Sequence, residues 1–508
     1  MGPSSLRRRR LCLVVVPTVA VALVAGCAVG PDFHRPAPPA VASYARPSLT
    51  PTTSSTSVPG GEEQRFVYAQ ELSDQWWTLF GSPALNALIA KALKTNATLV
   101  AAQAAVRQAR ELVYAQQGEF FPTVQGSFAV SRQQTSATFS APLSTPDFTY
   151  NLFTLQAALS YTLDLFGANR RQVESLVGQA EAQSFQLETA YLTLTSSLAA
   201  AAIQEASLRA QIEAAQEIID ISAKSLALVR RQLELGAVAG LDVAAQEAAL
   251  AQVQQALPPL QKQLEQTRNL LAALSGRFPT DAPEERFEMA SLRLPPDLPV
   301  GLPSTLVEHR PDVRVAEAQM HAASAQIGVA LANRLPQFTI SAAYGGTATS
   351  ITQMFANSNP FWIAAGTVSH TIFDGGTLLH RQGAAEAAFE QAAAQYRTTV
   401  IGAFQNVADA LHALQADAET LKAAVAAEAA AKKSLDLTLT AQQLGAVSYV
   451  AVLTAQQTYR QALLTRVQAQ SARFSDTVIL FQSLGGGWWN RPEKEAAARA
   501  TPVSESKE

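Results

Sequence analysis

The side chains able to do chemistry are few in this 508-residue chain, and their spacing argues against most kinds of it. Six histidines, at 34, 309, 321, 370, 380 and 412, are the natural candidates for proton transfer or metal ligation. None stands near another at the short intervals with which chains present metal ligands, so no metal is expected. No serine occupies a nucleophile elbow, and no glycine loop runs on into the lysine and hydroxyl of a phosphate cradle. Gly485-Gly486-Gly487 reads as a helix stop instead. Trp76, Trp77, Trp488 and Trp489 suit a sugar-stacking platform on paper, but large aromatics near chain ends more often fasten those ends to a body. No catalytic residue emerges, and an enzyme is not expected.

One thiol is placed for a different chemistry. Arg7 to Arg10 precede an apolar run from Leu11 to Ala25 and then Gly26-Cys27. A basic region, an apolar stretch too short to span a bilayer and a small-residue site together describe a secretory signal. Val24-Ala25-Gly26-Cys27 resembles a lipobox, whose cysteine receives a diacylglycerol on sulfur and an acyl chain on its new amino terminus. The other reading of Cys27 is a small residue after an ordinary cleavage site. Ala28 is not the aspartate that retains lipoproteins at the inner membrane, so the outer membrane is expected. Cys12, the only other cysteine, leaves with the signal, and the mature chain has no disulfide. Loss of the four signal arginines takes the formal net charge from −3 to −7, which gives no reason to expect nucleic acid.

The elements that must carry such a chain are long helices. Apolar residues make up 48% but aromatics only 7%, and Ala and Gln recur, a composition that suits helices packed side by side. An internal duplication organises them. Runs ending at Pro122 and Pro336 match one another; Asp164-Leu165-Phe166-Gly167 parallels Phe373-Asp374-Gly375-Gly376; Leu235-Gly236-Ala237-Val238 returns as Leu444-Gly445-Ala446-Val447. The interval from Gly167 to Gly236 is 69 residues, and so is that from Gly376 to Gly445. Neither interval contains proline, so each predicts one helix of roughly 100 Å. Residues 208, 212, 215, 219, 222, 226, 229 and 233, and after the turn 250, 253, 257, 260, 264, 267, 271 and 274, are spaced by threes and fours. That is the stripe of a coiled-coil hairpin. The second hairpin has a looser, more Ala-rich stripe.

Between each helix-ending proline and the next glycine lie two segments of alternating character. Val124, Gly126, Phe128 and Val130 form one face, and so do Phe153, Leu155, Ala157, Leu159, Tyr161 and Leu163. The second repeat gives Phe338, Ile340, Ala342 and Tyr344, then a partner from Trp362 to Ile372 whose alternation Ile363 and His370 break. The opposite faces are uncharged and polar. Segments of this length suit either a bilayer-spanning barrel with a wet interior or a soluble sandwich with one wet face. No later segment is apolar enough for a spanning helix, so any membrane crossing falls to the strands. Four strands do not close a barrel with a lumen, so a barrel requires several chains.

The sequence resembles the TolC/OprM-like outer membrane factors, including the NodT-type efflux lipoproteins. Cys27-Ala28-Val29-Gly30-Pro31-Asp32-Phe33 with Arg35-Pro36 is similar to the start of their mature chains. Trp76-Trp77-Thr78-Leu79-Phe80 with Pro83, Leu85, Leu88 and Ile89 matches their first helical segment. His309-Arg310-Pro311-Asp312-Val313, Ala316-Glu317, Ile327-Gly328, Phe373-Asp374-Gly375-Gly376 and Ser483-Leu484-Gly485-Gly486-Gly487-Trp488 match later signatures. The resemblance implies a mainly α fold with membrane β: long helical hairpins forming a coiled-coil tunnel, plus four strands per chain in a trimeric twelve-stranded barrel. It implies a homotrimer in outer-membrane lipid that meets a periplasmic membrane-fusion adaptor, itself bound to an inner-membrane RND-type pump. Such a chain conducts passively, without a cofactor beyond the lipid on Cys27. Leu235, Gly236, Val238, Leu444, Gly445 and Val447 are the implied adaptor-docking tips. Asp242 matches an acidic tip residue and is read equally as a gate and as a cap for the helix beginning near Leu241. Ala451 and Thr454 stand where many members are acidic, and Val447 where one carries an arginine tie.

The expected segmentation is a signal peptide at 1–26, a lipidated extended linker at 27–75, a first repeat at 76–275, an inter-repeat linker at 276–302, a second repeat at 303–488 and a charged tail at 489–508. Competing readings are a type I protein-secretion channel, which has the same architecture, and a periplasmic adaptor, which has one hairpin rather than two repeats. A structural periplasmic lipoprotein has no need of amphipathic strands.

Overall fold

The structure, a computed structural model, describes residues 28–41, 43–44, 50–134, 149–281, 285–355 and 359–491. The expected signal, Cys27 and the tail beyond Arg491 lie outside the described residues. In chain order the elements begin with β1 (Arg65–Tyr68), ahead of the first repeat, which supplies α1 (Pro83–Thr95), α2 (Ala97–Gln117), β2 (Thr123–Gln134), β3 (Thr149–Leu163), α3 (Ala168–Glu234) and α4 (Gly240–Leu274). Then follow β4 (Asp297–Val300), α5 (Pro303–His309), α6 (Pro311–Ala332), β5 (Gln337–Ala348), α7 (Ile351–Met354), β6 (Pro360–Ser369), α8 (Thr377–Gln443) and α9 (Tyr449–Ser483). The duplication is written in the lengths: α3 and α8 have 67 residues each, α4 and α9 have 35 each.

The repeated Asp and Gly motif explains where the long helices begin. Asp164 accepts from the backbone N–H groups of Asn169 and Arg170, both at 3.0 Å. Asp374 accepts from Gly376 and Leu378, both at 2.8 Å. The first N–H groups of a helix have no partner within it, and these carboxylates supply one. The bonds from Leu378 and Gly376 hold the Asp374 carboxyl below the usual carboxylate range.

Contacts divide the chain into two compact units. The first comprises the described part of Met1–Arg35, Ala105–Gln183 and Ala316–Tyr396, and holds the four-stranded sheet. Its order is β2-β3-β5-β6, antiparallel throughout. The register puts Val124, Leu159, Ala342 and Ala364 in one cross-strand row, and Phe128, Leu155, Gly346 and Pro360 in another. The alternation read from sequence is therefore one continuous apolar face. Trp362 on that face is 77% exposed, and Val124 68%. The opposite face carries Thr and Gln, with Thr154 to Thr347 and Thr162 to Thr339 hydroxyl bonds across it. Ile363 lies on this polar face, in the row of Gln125, Ala158 and Ala343. The fourth strand ends at Ser369, short of the expected Ile372. Ser369 pairs with Gln337, the first residue of β5, and Pro336 before it has no N–H to continue the ladder.

The second unit comprises Pro36–Ala104, Ser184–Val315 and the described part of Arg397–Glu508. Here the heptad stripe of α3 is buried at Leu208, Ala215, Ser222, Leu226 and Val229, half-buried at Ile212 and Ile219, and exposed only at Leu233. On α4 every stripe residue is at least half-buried, Val253 and Leu271 fully. The second hairpin packs on the first: Leu435, Tyr459 and Leu463 share a core cluster with Ala214, Ile218 and Val253. Pro258 and Pro259 sit inside α4, on its exposed side. They remove the N–H partners of the Gln254 and Gln255 carbonyls, and those residues are also exposed, so water serves in their place.

Short helices abut the return arms end to end. Asn96 donates from Nδ2 to the Leu274 carbonyl at 2.8 Å and accepts at Oδ1 from Thr98 N–H at 2.9 Å. One amide thereby closes the C-terminus of α4 and opens α2. In the second repeat Arg310 does the corresponding work, donating to the Ser483 carbonyl at 3.1 Å and to both Asp312 carboxylate oxygens. This is the physical content of the His309-Arg310-Pro311-Asp312 signature. The segment read as a linker is extended, and part of it is buried. Thr53, Gln64 and Phe66 are nearly inaccessible, and β1 pairs in parallel with β4.

Asp417 on α8 faces Asp476 on α9 beside Arg473. Burial, then the hydrogen bond and charge of Asp476, push the Asp417 carboxyl up to about 7, against the pull of Arg473. The folded chain thus holds a proton that an unfolded carboxyl releases near pH ~4. The resulting penalty grows between about pH 4 and pH 7 and is complete above that. Asp417→Asn is expected to raise the melting temperature more at pH 8 than at pH 4.5; an equal gain at both contradicts the assignment.

Candidate functional site

The structure places the expected tip residues at the two turns of the second unit. Both turns close in the same way. At the first, Gly236 N–H donates to the Leu233 carbonyl at 2.9 Å and Ala237 N–H to Gln232 at 2.8 Å. At the second, Gly445 donates to Gln442 at 3.0 Å and Ala446 to Ala441 at 2.9 Å. This is the Schellman pattern, which requires a left-handed residue, and Gly236 and Gly445 have φ of +70° and +72°. A Cβ added at either meets nothing within 4 Å, so any cost is backbone strain alone. Gly236→Ala and Gly445→Ala are each expected to weaken their hairpin tip by about 1–2 kcal/mol. Faster amide exchange confined to the last turns of α3 or α8 is the readout; unchanged exchange counts against it.

The tip side chains do not all share one environment. Leu235 and Leu444 stand free at 69% and 80% exposure. Val447 is also exposed, whereas Val238 folds back on the cluster of Leu226, Val229, Val243, Tyr449 and Val452. Val238 therefore holds the turn down rather than presenting it. Leu241 and Val450, each near the start of a return arm, are exposed apolar residues that the sequence reading overlooked. Their signal was positional: each lies five residues beyond a turn glycine, outside the stripe. Asp242 Oδ2 accepts from the Ala239 N–H at 3.1 Å, which is the capping role.

A polar ladder behind the tips locks hairpin to hairpin. Gln246 is fully buried; it donates to the Ser222 carbonyl at 2.7 Å and accepts from the Tyr449 hydroxyl. Gln442 donates to Gln232 at 3.0 Å, Gln456 to Ser225 at 2.8 Å, and the Tyr459 hydroxyl to Glu217 at 3.0 Å. Burial, with the nearby Asp242 charge, pushes the Tyr449 hydroxyl up, so it remains a donor. None of this was legible in the sequence, because glutamines on a long helix look like solvent-facing residues. Such a ladder fixes register between hairpins.

At the chain ends the tryptophans do fasten. Trp76 and Trp77 are buried, Trp76 against Phe481, and Trp488 Nε1 donates to the His309 carbonyl at 2.6 Å. Gly485, Gly486 and Gly487 all have positive φ and end α9. Among the described residues no helix is long and apolar enough to cross a membrane, and no three His, Cys, Asp or Glu side chains converge as a metal site.

Comparison with known proteins agrees with this arrangement. The family described as outer membrane efflux protein matches residues 88–277 and 302–486, one stretch in each repeat. The pyoverdine export outer membrane protein OpmQ of Pseudomonas putida is 31% identical over 452 residues, covering 86% of this chain and 94% of OpmQ. The cation efflux system protein CusC of Escherichia coli is 27% identical over 481 residues, covering 94% of this chain and 99% of CusC. Among solved structures, the outer-membrane channel OprN superposes with a TM-score of 0.80 at 25% identity, covering 91% of this chain and 100% of OprN. VceC of Vibrio cholerae gives 0.76 at 26% identity, covering 82% of this chain and 100% of VceC. The fold is that of TolC-like outer-membrane channels, which are not enzymes, and the outer membrane is this chain's place. By its repeats, its sheet and its relatives, the chain belongs to the outer membrane efflux protein family.

Proposed function

We propose that this chain is the outer-membrane subunit of a tripartite efflux system of the RND type. Three copies close a twelve-stranded barrel, and the helical tips meet a periplasmic adaptor bound to an inner-membrane pump. The pump supplies the energy and this chain conducts passively. One observation carries the reading: the four-stranded sheet has an exposed apolar face, and among the described residues its outer strands, β2 and β6, each pair on one side only. In hydrocarbon an open edge leaves backbone groups bare at several kcal/mol each, so other copies have to complete the sheet. Relatives named for pyoverdine export and cation efflux support efflux as the task.

In this reading Leu235, Gly236, Leu444, Gly445 and Val447 present the adaptor surface, and Val238 stiffens it. Asp242 adds to its cap the acidic side chain of the resting gate; Ala451 stands at the matching place in the second repeat. Cys27 carries the lipid anchor, which labelled palmitate incorporation tests. The mass of the protein extracted in mild detergent is expected to be that of three mature chains, and a monomer overturns the barrel. Deletion of the gene is expected to sensitise cells to toxic compounds; unchanged sensitivity to a broad panel counts against efflux.

A further inference from the structure

The described chain begins at Ala28, and its first eight residues, without helix or strand, lie within the first unit on the ends of α3 and α6. Their contacts are unusually specific for an extended arm. Val29 N–H donates to the Phe166 carbonyl at 3.0 Å. A Cβ on Gly30 would stand 2.5 Å from Gly328 Cα, and one on Gly167 2.6 Å from the Ala28 Cβ, so neither approach tolerates a side chain. Arg171, whose side chain is 7% exposed, spreads its guanidinium over the arm. Nε donates to the Val29 carbonyl at 3.2 Å, and Nη2 to the Gly30 carbonyl at 3.3 Å and to Asp32 at 2.8 Å. Nη1 is held by Glu174 at 2.7 Å. Beyond it Phe33 stacks on His321 at 4.5 Å, and Arg35 pairs with Glu317 at 3.0 Å. Phe166 and Gly167 lie three and four residues beyond Leu163, the last residue of β3, so the arm is fastened near the helix-side rim of the sheet.

We infer that Arg171, with the Gly30–Gly328 contact, is a clamp that fixes the N-terminal arm at the sheet rim and so sets the depth at which a lipid anchor meets the lipid-facing sheet. This rests on the lipidation of Cys27 proposed above. A free arm of eight residues reaches about 28 Å, close to the ~30 Å of a bilayer's hydrocarbon layer, and leaves the sheet's depth undetermined. Clamped, the arm meets the chain at Gly167, four residues beyond β3, and the sheet is held at the membrane surface at high effective concentration while copies assemble. Arg171 is thus a positioning residue whose partner is the lipid layer. Lysine does not replace it, because the forked contact to two carbonyls and a carboxylate needs the guanidinium.

The test uses the full chain in cells, in two backgrounds: the natural lipobox, and Cys27→Ala behind an ordinary cleavage site. Palmitate label and the fraction of heat-stable oligomer in the outer membrane are read for wild type, Arg171→Leu and Arg171→Lys. With the lipobox, both variants are expected to label as wild type while oligomer falls several-fold. In the unlipidated background, where oligomer is already low, they are expected to change nothing further. An equal proportional loss in both backgrounds shows that Arg171 merely packs helices and overturns the clamp. So does a labelled Arg171→Leu that assembles normally. Absence of label on the wild type overturns the lipidation of Cys27 itself, and the clamp with it.

Discussion

Leu159→Arg is expected to abolish the assembled channel, whereas Ser160→Arg, one residue along, leaves it assembled. Leu159 lies on the apolar face of β3, in a row that all four strands share, between Val124 and Ala342. Ser160 lies on the opposite face, between Thr123 and Ser341. A guanidinium facing lipid costs up to about 2–4 kcal/mol, and three copies raise this to as much as roughly 6–12 kcal/mol. That is comparable to the whole stability of an ordinary domain, about 5–15 kcal/mol. On the wet face the same charge keeps its hydration and alters only the potential along the lumen. Heat-stable oligomer in the outer-membrane fraction is the measurement. Equal loss in both variants, or loss only in the second, contradicts the assignment of faces.

Arg473→Ala is expected to release the segment around residues 53–64 and to destabilise the second unit by about 3–5 kcal/mol. Arg473 is wholly buried. Its guanidinium donates to the carbonyls of Gly60 at 2.8 Å and Glu62 at 3.0 Å, to Gln64 Oε1 at 3.1 Å and to Thr53 Oγ1 at 3.2 Å. Truncation strands these acceptors without water, and each unmet buried group costs about 1–3 kcal/mol. It also uncovers Asp417 to the full repulsion of Asp476. Arg473→Lys keeps the charge but not the fork, so an intermediate loss is expected. Limited proteolysis at 53–64 and the melting temperature report it; a segment still protected in Arg473→Ala contradicts the role.

What was legible in the sequence was whatever depends on local periodicity. The equal intervals from Gly167 to Gly236 and from Gly376 to Gly445 announced two equal helices, and two 67-residue helices fill them. The alternation from Phe153 to Leu163 announced a two-faced strand, and the register made that face continuous. What depends on groups far apart in the chain was not legible. The bond of Arg473 to Gly60 spans 413 positions, and that of Arg310 to Ser483 spans 173. Composition makes a charged residue at either place look solvent-facing. Pro258 and Pro259 argue locally for a break, yet α4 passes through them, because packing of Val253 and Leu271 outweighs two lost hydrogen bonds. The site divides the same way: the turn glycines show in the sequence, but the Gln246–Tyr449 contact that braces them does not.

The matched dimensions of the two halves make length itself a heritable constraint. Dropping one residue from α3 turns everything beyond it by about 100° and shortens it by about 1.5 Å, throwing its stripe off the partner arm. Only changes near whole heptads, roughly 10.5 Å at a time, restore the seam, and they have to occur in the opposing arm and in the other half as well. Reach across the periplasm is thereby quantised. Natural variation in span is expected to come in concerted sevens, while drift in amino-acid identity along the same arms stays free.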